Sequence, residues 1–337
     1  MKPDEKIRIA HGGGGRMTSL LIDSLVLPAF NNPTLAPLED AAVIDLGGVR
    51  LAFTTDSYVV RPLFFPGGDI GKLAVCGTVN DLAVIGARPV CISCGLIIEE
   101  GLDAGTLRKV LLSMGDAARL AGVEVVTGDT KVVGKGEADS IFINTSGLGV
   151  IESPFNFGRG SIRAGDMVLI NGPVGDHGMA VLSQREGLAV DSGIQSDVAP
   201  LNGLISVMMS ATGRIRMMRD PTRGGLATAL NEIVKGMPFG ILLDESAVPV
   251  REETAALCEI IGFDPLYVAN EGKVVAIAAR EEAGALLAAM RSHPLGVESR
   301  IIGGVTAEPR GKVCLRTTVG GTRIVDMPAG EQLPRIC

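Results

Sequence analysis

The run Glu39-Asp40-Ala41-Ala42-Val43-Ile44-Asp45-Leu46-Gly47-Gly48-Val49-Arg50-Leu51-Ala52-Phe53-Thr54-Thr55-Asp56-Ser57 decides how the first half of the chain is built. Two apolar runs, 41–46 and 49–54, flank the pair Gly47-Gly48. That pattern predicts a β-hairpin, because glycines supply the positive φ angles that a two-residue turn demands. Acidic residues sit at the outer ends, Glu39-Asp40 before the first run and Asp56 after the second. The start of one hairpin strand lies beside the end of the other, so Asp40 and Asp56 are expected as neighbours at one sheet end. Two carboxylates there suit Mg2+, which is held by one or two carboxylates plus substrate phosphates. They equally suit two solvated turn aspartates.

Upstream, His11-Gly12-Gly13-Gly14-Gly15-Arg16 precedes a helix predicted over 17–30. Bare backbone N–H groups beside a cation suit a phosphate lid, and a plain flexible linker has the same composition. The spacing is not that of a Walker A loop. Downstream, Gly67-Gly68-Asp69 caps a helix expected over 70–86. This helix is apolar nearly all round and should be buried. Asn80-Asp81 lies inside it, and a buried carboxylate is costly unless paired or bound to metal. Asp81 is therefore the strongest single pointer to a site. A strand over 89–99 follows, then an amphipathic helix over 103–121 with apolar positions 107, 110, 111, 114, 118 and 121. A strand over 123–127 is expected to end in Gly128-Asp129-Thr130-Lys131, where those side chains suit metal and phosphate. A strand over 141–150 closes a mixed α+β half.

The glycine-rich run from Gly158 to Asp166 reads as a linker. The second half then opens with a strand over 167–171, followed by helices near 176–187 and 199–210. Arg219-Asp220-Pro221-Thr222-Arg223-Gly224-Gly225 precedes a helix over 226–235, and charges with glycines at a helix N-terminus again suit an anion or a metal. Strands near 238–243, 273–278, 300–306 and 312–317 alternate with helices near 251–261 and 280–291. Ala269-Asn270-Glu271-Gly272 lies just before one of those strands.

The bulk composition excludes several classes. A length of 337 residues suits two domains of ordinary size. Net charge is −7 with scattered Lys and Arg, which argues against nucleic acid as a partner. No apolar run approaches the ~20 residues of a membrane span, and the first residues lack the apolar core of a signal peptide, so a cytoplasmic protein is expected. Six cysteines (76, 91, 94, 258, 314, 337) in a chain this long are not a disulfide framework. Cys91 and Cys94 fall in a predicted buried strand and read as structural. Cys337 is different, since it ends the run Glu331-Gln332-Leu333-Pro334-Arg335-Ile336-Cys337. A terminal segment can reach into a pocket, and Pro328 and Pro334 should stiffen its approach. The thiol is either a reactive group carried to a site or an incidental cysteine on a frayed tail.

Taken in order, these motifs resemble those of the HypE family of hydrogenase maturation proteins, within the ATP-binding superfamily of aminoimidazole ribonucleotide synthetase and selenophosphate synthetase. The resemblance runs over essentially the whole chain, from Glu39-Asp40-Ala41-Ala42 and Val79-Asn80-Asp81-Leu82 to Pro334-Arg335-Ile336-Cys337. The terminal motif makes it specific. It implies an α+β fold of two mixed α/β domains of the aminoimidazole ribonucleotide synthetase type. Its N-terminal sheet would form a β-barrel across a homodimer, with a flexible C-terminal tail. The expected segments are 1–35, 36–155 for ATP binding and dimerisation, 165–325, and a tail over 326–337. The implied activity is ATP-dependent dehydration of an S-carbamoyl group on Cys337 to S-cyanate, for the cyanide ligand of [NiFe] hydrogenase. The implied partners are the carbamoyltransferase HypF and an iron-carrying HypC–HypD complex, and the cofactors are ATP and Mg2+.

On this reading Cys337, Glu271 and Lys131 do the chemistry. Glu271 is the candidate base, and Lys131 stabilises the transferred phosphoryl group. Asp40, Asp56, Asp81 and Asp220 hold the metal. His11, Gly13, Gly14, Arg16, Asp56, Asn80, Asp129, Thr130 and Arg223 bind the nucleotide. Arg335 is expected to favour the Cys337 thiolate, against the adjacent terminal carboxylate. Where the family pattern has Asp-Asp, this chain has Glu39-Asp40. A selenophosphate synthetase-like enzyme is the nearest alternative, but those carry a reactive Cys or selenocysteine near the N-terminus, and 11–15 has none. A non-catalytic scaffold with a docking tail leaves the spread of carboxylates without a reason.

Overall fold

The computed structural model describes residues 5–152, 157–187, 193–330, 333 and 335–337. Pro334, expected to stiffen the tail, lies outside the described residues. The first half opens with α1 (Gly15–Leu21), a π-helical turn (Ile22–Val26) and α2 (Leu27–Phe30). The hairpin β1 (Ala42–Leu46) and β2 (Val49–Tyr58) follows, then the short β3 (Phe64–Phe65) and β4 (Gly68–Asp69). Next come α3 (Ile70–Val84), β5 (Arg88–Glu99), α4 (Ala104–Ala121), β6 (Glu124–Val133) and β7 (Ile141–Val150). The five long strands form one sheet in the order β1-β2-β7-β5-β6, antiparallel except for the parallel pair β5/β6.

The second half contains β8 (Met167–Ile170), α5 (Asp176–Arg185), α6 (Asn202–Ala211), β9 (Ile215–Arg219) and α7 (Gly225–Val234). It continues through β10 (Gly240–Asp244), α8 (Glu252–Ile261), β11 (Val275–Ala278) and α9 (Ala283–Arg291). It closes with β12 (Arg300–Thr306), β13 (Val313–Arg316) and β14 (Thr322–Ile324). The seven-stranded sheet runs β14-β13-β10-β12-β8-β11-β9. Two mixed α/β layers thus carry the chain, and among the described residues the strands of one chain do not close a barrel.

α3 is the post between the two halves. Asp69 caps it, accepting from the N–H groups of Gly71 (2.7 Å) and Lys72 (3.2 Å). Its apolar faces are buried on all sides, as the sequence predicts. One side packs on β2, β7 and α4, while Ala83 and Val84 enter the core of the second half beside Leu169 and Leu201. Each such large side chain stabilises the fold by ~1.5–3 kcal/mol relative to exposure. α4 is rotated slightly from its expected phase. Ala117 faces the core, whereas Leu111 is exposed, because a helix of 3.6 residues per turn cannot keep 110 and 111 on one narrow stripe.

Three expectations are corrected. β2 continues to Tyr58, so Asp56 is a strand residue rather than a residue past a strand end. β6 continues to Val133, because Gly128-Asp129-Thr130-Lys131 stays in register with Cys94-Gly95-Leu96-Ile97. β9 was not expected at all, since Ile-Arg-Met-Met-Arg has neither strong β-propensity nor clean alternation, and pairing with β11 overrides that weakness.

Candidate active site

Strand alternation puts Thr54, Asp56 and Tyr58 on the face of β2 that looks at α3. Asp81 projects from α3 into the same space, and Thr54 Oγ1 lies 2.9 Å from both Asp81 Oδ2 and the main-chain oxygen of Asp40. From the second half, the end of β9 brings Arg219 and Asp220. Arg219 Nη2 sits 3.3 Å from Asp40 Oδ1 and 2.9 Å from Glu232 Oε2. Asn270 ties the next two loops together: its side-chain amide donates to Pro221 O (2.8 Å) and accepts from Gly175 N (2.8 Å). Glu271 follows, only 3% exposed, with Oε1 buried and unpartnered.

The carboxylates feel one another. Burial raises the pKa of Asp81 far above the usual range, and Asp220, Asp56 and Asp40 add to it. Asp220 is pushed up to about 8 by burial and by Asp40, against the pull of Arg219. Glu271 is raised by burial, then by Asp220, Asp56 and Asp197, with Arg223 opposing. Asp40 is raised by burial despite Arg219, and its Oδ2 is buried without a partner. An all-oxygen, repelling donor set with an orphaned carboxylate oxygen fits a hard divalent cation such as Mg2+. Among the described residues, no three His, Cys, Asp or Glu groups already converge on one point as metal ligands.

The end of the chain reaches this site. The carbonyl oxygens of Cys337 and Arg335 accept from Val59 N (3.1 Å) and Arg61 N (3.2 Å), in antiparallel sense to the continuation of β2. Arg185 Nη2 also donates to Arg335 O (2.6 Å). Ile336 is 2% exposed, and Cys337 packs on the core of the first half. The charge at Cys337 is the largest cause of the raised pKa of Arg223. Arg335 does not serve Cys337 as expected. Its guanidinium pairs with Asp139, donates to Val59 O (3.0 Å) and lies over the Phe142 ring. Arg223 is a cation that faces the terminal residue.

The glycine run packs on the same corner. Arg223 Nη1 donates to Gly12 O (3.3 Å), and Gly14, at φ 78°, lies against Arg223, where a β-carbon would come within 3.2 Å of its carbonyl oxygen. Gly13 shares a small cleft with Arg223, Leu333 and Ile336. His11 is buried with Nδ1 on Arg8 and Nε2 unpartnered, and Arg16 N donates to Pro328 O (3.0 Å). The expected nucleotide group His11, Gly13, Gly14, Arg16 and Arg223 is therefore assembled beside the tail.

Other expected residues lie elsewhere. Asn80 has no free amide group for a nucleotide: Nδ2 donates to Ala199 O (3.1 Å) and Glu271 O (3.3 Å), and Oδ1 accepts from Leu201 N (2.8 Å). It braces the Glu271 turn instead. Asp129 and Lys131 pair with each other at 2.7 Å, both about two-thirds exposed, on the edge strand β6. Register puts them in rows with Asn144 and Phe142, whereas Asp56 is opposite Thr145 on the α3 side. Within one chain, Asp129 and Lys131 thus face away from the acidic cluster, while Thr130 shares the row of Leu96, Ile143 and Tyr58 on the α3 side, three strands from β2 on the sheet edge. Cys76 and Cys258 are unsuited to chemistry, since burial pushes Cys76 up to about 12 and Cys258 up to about 11.

Sequence reasoning grouped Arg219 with the charges before α7 but gave it no partner, and it missed the buried pair Lys273–Asp197 (2.9 Å), whose Asp197 Oδ1 also accepts from Glu271 N (3.0 Å). Nothing local marks that pair, which folding alone joins across 76 positions.

Comparison with known proteins agrees with this layout. The AIR synthase related protein N-terminal domain matches residues 38–151, and the corresponding C-terminal domain matches 163–316. Carbamoyl dehydratase HypE of Rhodobacter capsulatus is 51% identical over 337 residues, covering 99% of each chain. Among solved structures, a HypE–HypF complex superposes with a TM-score of 0.87 at 50% identity, covering 91% of this chain and 99% of that one. A HypE solved in complex with ATP superposes at 0.83 and 49% identity, covering 98% and 100%. With half of all positions shared along its whole length, and with its terminal cysteine seated beside a buried acid cluster, the chain belongs to the HypE family of carbamoyl dehydratases.

Proposed function

We propose that the chain uses ATP to dehydrate an S-carbamoyl group on its own Cys337 to S-cyanate, supplying the cyanide ligand of a [NiFe] hydrogenase iron centre. The observation that carries this reading is the docking of Cys337 against Arg223, at the corner shared by Glu271 and the acidic cluster. An amide oxygen is a poor leaving group. Transfer of the γ-phosphoryl group to the carbamoyl oxygen, with loss of one N–H proton, gives S–C(OPO3)=NH. Loss of the second N–H proton with departure of phosphate then leaves S–C≡N. Such a reaction asks the protein mainly for positioning, charge balance and a base.

Asp40, Asp56, Asp81 and Asp220 would hold Mg2+, which when bound neutralises phosphate charge. Gly13 and Gly14, with His11, Arg16 and Arg223, line the approach for the nucleotide phosphates. Glu271 takes the N–H proton. Burial and the neighbouring carboxylates raise its pKa, and a carboxylate of raised pKa is a stronger base in its ionised form. Asn80 and Asp197 hold its backbone on both sides. Lys131, exposed on β6, acts across a homodimer, which accounts for its distance from Glu271 within one chain. HypF supplies the carbamoyl group, and HypC–HypD accepts the cyanide, in the cytoplasm. No helix among the described residues is long and apolar enough to cross a membrane.

Intact mass measurement tests the reading. The protein is incubated with ATP, Mg2+, carbamoyl phosphate and HypF. The expected result is a carbamoyl gain followed by ATP-dependent loss of one water, both mapped to Cys337. Carbamoylation at another residue, or none with competent HypF, defeats it. Glu271→Ala is expected to bind ATP and keep the carbamoyl group; undiminished dehydration would remove Glu271 from the role of base.

A further inference from the structure

We propose that His177 is a positioning residue that fixes the seat of the docked tail and links it to the turn carrying Glu271. The inference rests on the reading of Cys337 as the group acted on. His177 lies in the first turn of α5 and has no exposed surface. Its Nε2 is 2.9 Å from the carbonyl oxygen of Ile336. A carbonyl can only accept, so Nε2 carries the proton, and Nδ1 accepts from the Ser196 hydroxyl at 2.8 Å. The Phe65 ring meets the imidazole edge-on, with centroids 5.4 Å apart and planes at 87°, and so fixes the ring plane. The carbonyl held in this way belongs to the peptide bond that joins Ile336 to Cys337. Moving it moves the thiol.

The same helix turn touches the Glu271 side. Gly178, the next residue, donates its N–H to Ala269 O at 3.1 Å. A β-carbon on Gly178 would meet Val268 and come within 3.3 Å of Leu333 of the tail. From Ser196 the connection continues without a gap: its N–H donates to Pro66 O (2.8 Å), and its neighbour Asp197 accepts from Glu271 N (3.0 Å). Burial lowers the pKa of His177 against the opposing pull of Asp197 and the Ile336 carbonyl, which keeps the imidazole neutral. A buried histidine satisfied only for stability would need two partners of any kind. These two partners are the tail that carries Cys337 and the loop that holds Glu271.

The test uses the full chain and reads Cys337 in two ways: its alkylation rate by iodoacetamide, mapped by peptide mass, and ATP-dependent water loss after carbamoylation by HypF. His177→Ala is expected to speed alkylation about tenfold and slow water loss about tenfold, as one lost hydrogen bond predicts, with ATP affinity unchanged. His177→Gln, whose Nε2–H2 can reach the same carbonyl, is expected to recover most of both effects. An alanine variant alkylated at the wild-type rate overturns the proposal, and so does a folded glutamine variant as impaired as alanine. If His177→Ala does not fold, Ser196→Ala takes its place. Ser196→Ala is expected to speed alkylation roughly threefold, by loosening the ring; no change overturns the link. Wild-type protein that is protected from alkylation but never loses water defeats the proposed reaction while leaving the seat of the tail intact.

Discussion

At the scale of single residues, the acidic cluster stores repulsion, and this has a measurable cost. Asp220 has a pKa of about 8 in the fold against an ordinary value of 3.8. Between those values the folded chain binds a proton that the unfolded chain has lost. Stability of the metal-free protein must therefore fall as pH rises from about 4 to about 8, and then level off. Asp220→Asn keeps the shape and removes the charge. In the absence of divalent cations it is expected to raise the thermal midpoint at pH 8.5, by an effect on the order of a few kcal/mol, and to leave the midpoint at pH 4 nearly unchanged. Equal midpoints for wild type and variant at pH 8.5 would show that Asp220 is not under this strain. Asp81 was legible in the sequence because a carboxylate inside an apolar helix demands a reason. The pairing of Arg219 with Asp40 was not, although the two sit 3.3 Å apart, because they lie in different halves of the chain.

At the scale of elements, the site is made by loops that rigid elements hold at close quarters. The turn of Asn270 and Glu271 is held from two sides. Asn80 on α3 holds it from one side, and the loop at Ser196 to Ala199 holds it from the other. Gly272 is needed there for space, not for φ: a β-carbon would overlap the main-chain carbonyl of Asp197. Gly272→Ala should push the turn away from that loop and displace Glu271. The expected outcome is a loss of dehydration of at least about tenfold, with ATP binding retained, because a small misplacement of a reacting group is costly. Dehydration at the wild-type rate would mean that the turn tolerates the shift and that Glu271 is not held to a narrow position. The hairpin β1/β2, α3, α4 and β7 were legible because each combines a strong period with its own turn or cap. The extents of β2 and β6 were not. A strand ends where its partner strand ends, and the partner is not encoded locally.

At the scale of the whole molecule, the five-stranded sheet leaves β6 as an uncovered edge, with Val126 and Val132 exposed beside the pair Asp129–Lys131. An exposed apolar edge strand is a liability that a second chain removes. The rows that hold Asp129 and Lys131 face away from α3, so no side-chain rotation brings Lys131 to the Glu271 of its own chain. If Lys131 takes part in the reaction, it must work in a partner subunit. This makes a sharp prediction. Lys131→Ala and Glu271→Ala are each expected to be inactive alone. Mixed as exchanging subunits in equal amounts, half of the dimers carry one of each. In such a dimer one site has both intact residues and the other has neither. Activity should return to about a quarter of wild type, as two-fold symmetry requires. A mixture that stays inactive, while size and mass measurements show that mixed dimers have formed, would mean that Lys131 and Glu271 serve the same chain. The arrangement of β6 would then have to change before the reaction.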